Sequence, residues 1–174
     1  MRKKRLLQLT AALLCAVILS ACGGAPADAD YTCTVSISCA TILDNMDQCA
    51  ESKKELVPAD GVILPPTEVA FAEGESAFDM LQRVCRDNGI HLESKFTPVY
   101  NSAYIQGIHN IYEFDVGKLS GWMYAVNDWF PNYGCSLYQV QDGDVIRWVY
   151  TCDLGADVGG GQAAGDGQQE GAST

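Results

Sequence analysis

One amphipathic helix set among strand-like segments is the feature that most constrains the fold of this chain. Ser76 and Asp79 have the spacing of a capping box, in which each side chain binds a backbone N–H of the other residue. The apolar positions that follow recur at helical spacing, at Phe78, Leu81, Val84 and Cys85. Asn88 and Gly89 then supply a C-terminal stop. A single helix of this kind among strands predicts the α+β class, with a sheet packed against the helix.

The first strand has the clearest alternation. Its apolar side chains share one face, at Cys33, Val35, Ile37 and Cys39, while Thr and Ser residues occupy the other face. A second extended piece places Val69 and Phe71 inward, and residues 90–96 predict a further strand. Residues 97–121 are irregular in pattern and rich in Tyr and Asn, so we expect no regular element there.

Two more strands are expected towards the C-terminus. Residues 122–126 alternate, and the pair Asn127-Asp128 that follows fits a tight hairpin turn. A second turn around Gly143 leads into the last strand, over residues 145–151. These segments complete a mixed sheet in which both hairpins contribute strands.

The ordered part of the chain is expected to form one domain, over residues 31–158. After the first strand, residues 41–56 predict a helical insert, which Thr41 and Asp44 would cap. Residues 159–174 are rich in Gly, Gln and Ala without an apolar pattern, which predicts a disordered tail.

The N-terminus has the pattern of an export signal. Four basic residues within the first five precede an apolar stretch over residues 11–19, which is too short to span a bilayer comfortably. The motif Leu19-Ser20-Ala21-Cys22 resembles the bacterial lipobox, which implies a lipoprotein signal peptide over residues 1–21 and lipidation of Cys22. Residues 22–30 then form a flexible tether. We expect a protein anchored to the outer face of the bacterial cytoplasmic membrane; the alternative is an ordinary secretory signal.

Cysteine usage agrees with export. Apart from Cys15 in the leader and Cys22, six cysteines remain, an even number that is typical of disulfides in an exported chain. Because both residues flank the terminal hairpin, Cys135–Cys152 is the first expected pair. The strand face of Cys33 and Cys39 and the helical positions of Cys49 and Cys85 suggest two further candidate pairs. These are Cys39–Cys49 and Cys33–Cys85. Sequence leaves 15 connectivities open, and free buried thiols are the alternative.

The charge of the chain excludes some function classes. The formal net charge is -11, and four of the 11 basic residues lie in the leader, so the acidic domain has no basic surface for nucleic acid. Only two histidines occur, and neither belongs to a metal-binding motif. No catalytic constellation, metal site or permanently bound cofactor is predicted.

Aromatic residues concentrate between Tyr100 and Tyr150, and the turn after residue 126 contains two in succession. Adjacent side chains point to opposite sides, so at least one ring there should face solvent. Exposed aromatics flanked by amides are typical of small-molecule or partner sites. The candidate ligand-binding residues are therefore Trp122, Tyr124, Asn127, Trp129, Phe130, Asn132 and Tyr133. The alternative is that these rings build a β core.

Three segments carry a resemblance to a known family. They are Ser120-Gly121-Trp122-Met123-Tyr124-Ala125-Val126-Asn127, Phe130-Pro131-Asn132-Tyr133-Gly134 and residues 142–151. Together with residues 73–81 they resemble the transcobalamin-like C-terminal domain family, in the soluble-ligand-binding β-grasp superfamily. The resemblance covers residues 69–151. It implies a β-grasp fold with a mixed sheet on one helix, binding of a soluble ligand, no catalysis, and a corrinoid contact at Trp122.

The sequence therefore supports a first hypothesis of a surface lipoprotein that binds a soluble small ligand, with cobalamin or another corrinoid as the candidate, for delivery to a membrane importer. A second hypothesis is an envelope module that docks a protein or a polysaccharide through the same aromatic residues. A third, a cell-wall hydrolase, needs an acid and base in one cleft, which the sequence does not contain.

Overall fold

The computed structural model describes residues 29–160. The predicted signal peptide over residues 1–21, the lipidation site Cys22, most of the tether and the tail beyond residue 160 lie outside the described residues. Within residues 29–160, no helix has both the length and the apolar character needed to cross a membrane.

The described residues form seven strands, one α-helix and three short 3₁₀ helices. The strands are β1 (Tyr31–Ser38), β2 (Val62–Phe71), β3 (Leu92–Thr97), β4 (Ser102–Ile108), β5 (Ile111–Tyr112), β6 (Gly121–Val126) and β7 (Val145–Thr151). The α-helix, α1, is Ala77–Asp87, and the 3₁₀ helices are Ala40–Asn45, Glu51–Leu56 and Ala156–Val158.

A four-stranded mixed sheet forms the centre of the domain. Its strand order is β2-β1-β7-β6, with β1 and β7 parallel and the other two pairs antiparallel. The alternation predicted for β1 is confirmed, since Cys33, Val35 and Ile37 are all buried. This face packs on α1 in the main core. The predicted α+β class, with a β-grasp-like mixed sheet on one amphipathic helix, is confirmed.

The capping box of α1 is present as predicted. The Ser76 hydroxyl accepts the backbone N–H of Asp79 at 3.2 Å, and an Asp79 carboxylate oxygen accepts the backbone N–H of Ser76 at 2.7 Å. The buried face of the helix is formed by Ala77, Met80, Leu81, Val84 and Cys85. Gly89, at φ +65°, adopts the left-handed conformation that follows the helix end.

A second sheet has the order β3-β4-β5. β3 confirms the strand predicted over residues 90–96, whereas β4 and β5 lie where the sequence predicted irregular structure. A register shift between Glu93 and Ser94 interrupts the pairing of β3 with β4. Gly107 lies beneath the ring of Tyr112, and a Cβ there would come within 2.8 Å of that ring. The bulge and the glycine break the alternation that identifies a strand, which explains why the prediction missed β4.

Residues 41–56 contain 3₁₀ helices instead of the predicted capped helix. The Thr41 side chain makes no cap, because its hydroxyl donates to the backbone carbonyl of Tyr150 at 2.5 Å. This bond attaches the insert to β7. A second, smaller core lies beneath it, formed by Cys39, Ile42, Cys49, Ile111, Val116 and Tyr150.

The prolines of β2 occupy an irregular point of an edge strand. Val35 pairs with Thr67 and Ile37 pairs with Leu64, so Pro65 and Pro66 together lie opposite a single residue of β1. A bulge on an edge strand accommodates prolines, which have no N–H to donate to a ladder. β2 therefore continues through the proline pair to Phe71, where the predicted inward side chains of Val69 and Phe71 are buried.

The predicted disulfides are not found, since the six cysteines of the described residues are free thiols. Cys135 lies in the main core, whereas Cys152 packs against the second core, so the pair Cys135–Cys152 is separated. The other predicted pairs were Cys39–Cys49 and Cys33–Cys85. Their members share a core but pack as small apolar side chains.

Replacement of Ser76 by Ala should destabilise the domain by about 1 kcal/mol, because the capped N–H of Asp79 loses its acceptor. Urea unfolding followed by circular dichroism measures this change. Ser94→Ala, at an exposed strand position, is the matched control and should change the free energy of unfolding by much less. Equal effects of the two substitutions would contradict the role assigned to the cap.

The thiols should differ in reactivity towards iodoacetamide at pH 8. Burial raises the pKa of Cys33, Cys39, Cys85 and Cys135 to about 12, which leaves little thiolate to react. Cys152 is partly exposed, and its pKa is raised only to about 11, so it should be alkylated before these four thiols. Peptide mapping of native and denatured samples tests this order. Cross-linked peptides in an unreduced digest would contradict the free-thiol assignment.

Candidate functional site

An open cleft lies between the β3–β4 hairpin and the loop that follows β6. Its volume is about 370 Å³. Three tyrosines provide exposed rings in its walls, Tyr100 and Tyr104 from the hairpin and Tyr133 from the loop. The remaining lining residues are Thr97, Ser102, Ala103, Pro131, Asn132 and Gly134. We call this space the aromatic cleft.

The two walls of the aromatic cleft meet at a close backbone approach. A Cβ on Gly134 would lie 1.8 Å from the Ser102 hydroxyl oxygen, so only glycine fits this position. The hydroxyls of Ser102 and Ser136 are hydrogen-bonded at 2.8 Å, and the backbone N–H of Ala103 donates to Ser136 Oγ at 3.0 Å. Small residues and paired hydroxyls thus fix the loop against the start of β4.

Tyr124 positions the loop from beneath. Its hydroxyl donates to the backbone carbonyl of Tyr133 at 2.9 Å, and its ring stacks on Trp148 with centroids 5.5 Å apart. Burial raises the pKa of Tyr124, so the hydroxyl keeps its proton and remains a donor. Tyr124 is only 8% exposed and supports the site from within.

Asn127 belongs to the turn, and its side chain is committed to structure. Asn127 and Asp128 have φ values of 50° and 67°, as the predicted tight turn requires. The Asn127 amide donates to the Asp144 carboxylate at 2.8 Å, and its carbonyl accepts the backbone N–H of Val145 at 2.9 Å. Both ends of the Asn127 amide are thus bonded within the protein, and Asn127 is not among the residues that line the aromatic cleft.

A smaller inner pocket of about 120 Å³ adjoins the aromatic cleft. The two spaces share Ala103, Tyr104 and Gly134. The inner pocket is completed by Ile105, Trp122, Met123, Tyr124, Cys135 and Trp148. Trp122 is half-buried, and its indole N–H donates to the backbone carbonyl of Ile111 at 2.9 Å.

The structure brings some predicted residues together and separates Phe130 from them. Asn132 and Tyr133 line the aromatic cleft, and Trp129 is 52% exposed, with its ring 6.0 Å from that of Tyr133. Phe130 is only 6% exposed, so Trp129 is the one of the two adjacent rings that faces solvent, and the prediction of at least one exposed ring is confirmed. A Cβ on Gly160 would lie 3.0 Å from the Phe130 ring, so the C-terminal segment covers it.

Sequence reasoning missed the hairpin wall of the cleft. The residues missed there are Thr97, Tyr100, Ser102, Ala103 and Tyr104, and in the loop it passed over Pro131 and Gly134. The one signal that could have found this wall was the aromatic concentration, which begins at Tyr100. Without β4, its two tyrosines had no predicted position relative to the loop.

The lining of the aromatic cleft contains no charged side chain. The Tyr104 hydroxyl donates a hydrogen bond to the Glu113 carboxylate at 2.5 Å. Burial and the adjacent Glu113 raise the pKa of Tyr104 to about 12, so it is protonated at neutral pH. The arrangement offers ring stacking and uncharged hydrogen bonds to a ligand. Among residues 29–160, no three His, Cys, Asp or Glu side chains are grouped to hold a metal ion.

Comparison with known families places the cleft within a matched segment. Residues 74–152 are similar to the family described as Domain of unknown function (DUF4430). That segment includes α1, the whole second sheet, β6, β7 and both walls of the aromatic cleft. A search of curated proteins finds no match to the chain.

One solved structure has a similar fold, and a second aligns more weakly. Haptocorrin, crystallised in complex with Cbi, is similar at a TM-score of 0.51 and 12% identity, over 78% of this chain. The chain spans only 28% of the haptocorrin chain. A Ruminococcus gnavus ATCC 29149 protein, provisionally described as metal binding, aligns at a TM-score of 0.41 and 15% identity, over 70% of this chain and 97% of that chain. The haptocorrin likeness confirms a transcobalamin-like fold.

Replacement of Gly134 by Ala should destabilise the domain by about 1–3 kcal/mol, because the added methyl group overlaps the Ser102 side chain. Gly121→Ala is the control, since the nearest atom to a Cβ there is 3.7 Å away. Urea unfolding of both variants measures the difference. A Gly134 variant as stable as the Gly121 variant would contradict the close approach that joins the walls.

Proposed function

We propose that this chain is a non-catalytic binding module whose aromatic cleft holds an uncharged, ring-bearing soluble ligand. The observation that carries the proposal is the cleft of about 370 Å³ between two walls that present Tyr100, Tyr104 and Tyr133. Ligand sites are concave, mainly apolar and equipped with a few polar groups, which here are Thr97, Ser102 and Asn132.

Ring exposure supports a stacking role for the cleft. Tyr100 is 72% exposed, and Tyr104, Trp129 and Tyr133 each retain 40–52% of their surface. Aromatic faces of this size stack on flat ligands, and their burial on binding is favourable. Because the cleft lining carries no charge, an uncharged ligand loses less hydration on entry than an ionised one.

A corrinoid is the first candidate ligand. The resemblance of residues 69–151 to the transcobalamin-like family supports this choice, as does the likeness in fold to haptocorrin, whose structure contains Cbi. Trp122, the residue that the resemblance assigns to a corrinoid contact, lines the inner pocket beside the aromatic cleft.

The proposed location is the outer face of the bacterial cytoplasmic membrane. It follows from the basic and apolar leader, the lipobox-like motif ending at Cys22, and the small residues of the tether after it. A lipid-anchored binding module at that surface fits the delivery of a captured ligand to a membrane importer. The acidic composition argues against a nucleic-acid partner.

Titration of the full chain with cobalamin and with cobinamide tests the proposal. Tryptophan fluorescence and corrin absorbance should both change on binding. Tyr133→Ala removes one wall ring and should weaken binding by about 2 kcal/mol, or ~30-fold in Kd. The control is Phe114→Ala, since Phe114 is 63% exposed and lies outside the cleft lining; its Kd should match that of the parent chain.

Absence of any spectral change at near-millimolar corrinoid would remove the corrinoid assignment. Equal Kd values for the two variants would instead place binding elsewhere on the domain.

A second candidate function is docking to a protein or polysaccharide of the cell envelope. It is favoured by the exposed apolar tip of the β3–β4 hairpin, where Val99 is 86% and Phe96 is 59% exposed. Co-sedimentation with isolated envelope polysaccharide, and pull-down from envelope extracts depleted of small molecules, test this function. Binding that persists without corrinoid and fails for Trp129→Ala would favour docking.

A further inference from the structure

The outer side of β3 (Leu92–Thr97) is an open sheet edge. β3 is the first strand of the second sheet, and on the side away from β4 it has no partner strand among residues 29–160. Its four central residues, from Glu93 to Phe96, are all exposed. The backbone N–H and C=O groups on this side are therefore free to pair with another strand.

The other three sheet edges are less available to a neighbouring strand. β2 carries the proline pair at its bulge, β5 has only two residues, and no residue of β6 is exposed. β3 has six residues and contains no proline. The extra residue at its register shift with β4 is Gln106, which belongs to β4, so β3 itself alternates regularly.

The side chains of β3 are complementary to those of a second β3 that runs antiparallel to it. About a two-fold axis perpendicular to the sheet, paired residues must lie on the same face and are therefore an even number of positions apart. An axis at Ser94 sets Glu93 opposite Lys95 of the second copy, and Lys95 opposite its Glu93. The same axis sets Leu92 opposite Phe96, again twice. An axis at Glu93 or at Lys95 would instead set like charges opposite each other, which is destabilising.

The groups that this pairing brings together are not committed elsewhere. Neither Lys95 nor Glu93 takes part in an ion pair within the part of the chain that the structure describes. The Glu93 carboxylate accepts the Tyr112 hydroxyl at 2.8 Å and, as a carboxylate, can accept an ammonium group as well. Phe96 is 59% exposed, and contact with Leu92 of the second copy would bury part of its ring.

We propose that β3 pairs antiparallel with β3 of a second copy of this chain, about a two-fold axis at Ser94. The two three-stranded sheets then join into one sheet of six strands, in the order β5-β4-β3-β3-β4-β5. The inference goes beyond the ligand-binding function proposed above and does not rest on it. Pairing of two six-residue strands makes an interface below the ~1,200 Å² of standard complexes, so the dimer is weak and reversible.

Sedimentation equilibrium of the full chain, from micromolar to near-millimolar concentration, tests the pairing. Lys95→Glu sets carboxylates opposite each other at both charged pairs and should weaken dimerisation about tenfold. Glu93→Lys sets two ammonium groups opposite each other and should weaken it similarly. An equimolar mixture of the two variants restores both pairs with opposite charges, so the mixture should dimerise about as tightly as the parent chain.

The matched control is Lys118→Glu, which makes the same change in net charge at an exposed residue outside β3 and should dimerise like the parent chain. Recovery of dimerisation in the mixture supports the Ser94 register, because each variant alone lacks it. A parent chain that stays monomeric at near-millimolar concentration overturns the proposal. A mixture that associates no more tightly than the single variants overturns it as well.

A second measurement needs no variant to fold. Backbone amide resonances of the parent chain, recorded by NMR over the same range of concentration, should shift on dilution at residues 92–96. Amides of β2, which lies in the other sheet, should not move. Shifts that are absent from β3 or confined to other segments overturn the proposal.

Discussion

The parallel pairing of β1 with β7 is the constraint on which the rest of the domain depends. These strands come from opposite ends of the described residues, and parallel neighbours cannot be joined by a tight turn. The chain between them must therefore leave the sheet and return. It uses that path to cover one face with α1 and to build the second sheet beside it. Two backbone hydrogen bonds, each 2.8 Å long, lie at the start of this pair. The N–H of Thr34 donates to the carbonyl of Asp144, and the N–H of Gly143 donates to the carbonyl of Thr32.

The aromatic cleft follows from this return path. The β3–β4 hairpin and the loop after β6 supply its two walls. Gly134 allows the walls to touch at Ser102. Tyr124 connects the loop to the core through one hydroxyl bond and one stacked ring. The same residues that stabilise the fold thus set the width and floor of the site.

Local signals in the sequence were sufficient for the central sheet and its helix. The Ser76 capping box, the alternation of β1 and the Asn127-Asp128 turn each depend on residues close together in the chain, and each is found in the structure. Thr41 has a similar local signal but bonds to Tyr150, more than a hundred residues away. A contact at that distance leaves no trace in a local pattern.

The site was only partly predictable for a related reason. The aromatic loop could be read from Trp129, Asn132 and Tyr133, but burial of Phe130 depends on the later segment around Gly160. The opposite wall depends on β4, whose alternation is broken by a bulge and by Gly107. Tertiary packing, more than side-chain chemistry, decided which aromatic rings face solvent.

The proline pair in β2 has a consequence for copies of this domain that lie side by side. An outer strand usually presents unpaired N–H groups to which a neighbouring molecule can add a strand of its own. Pro65 and Pro66 present none, and the bulge bends the strand where they lie. This side of the sheet therefore resists extension into a continuous intermolecular ladder.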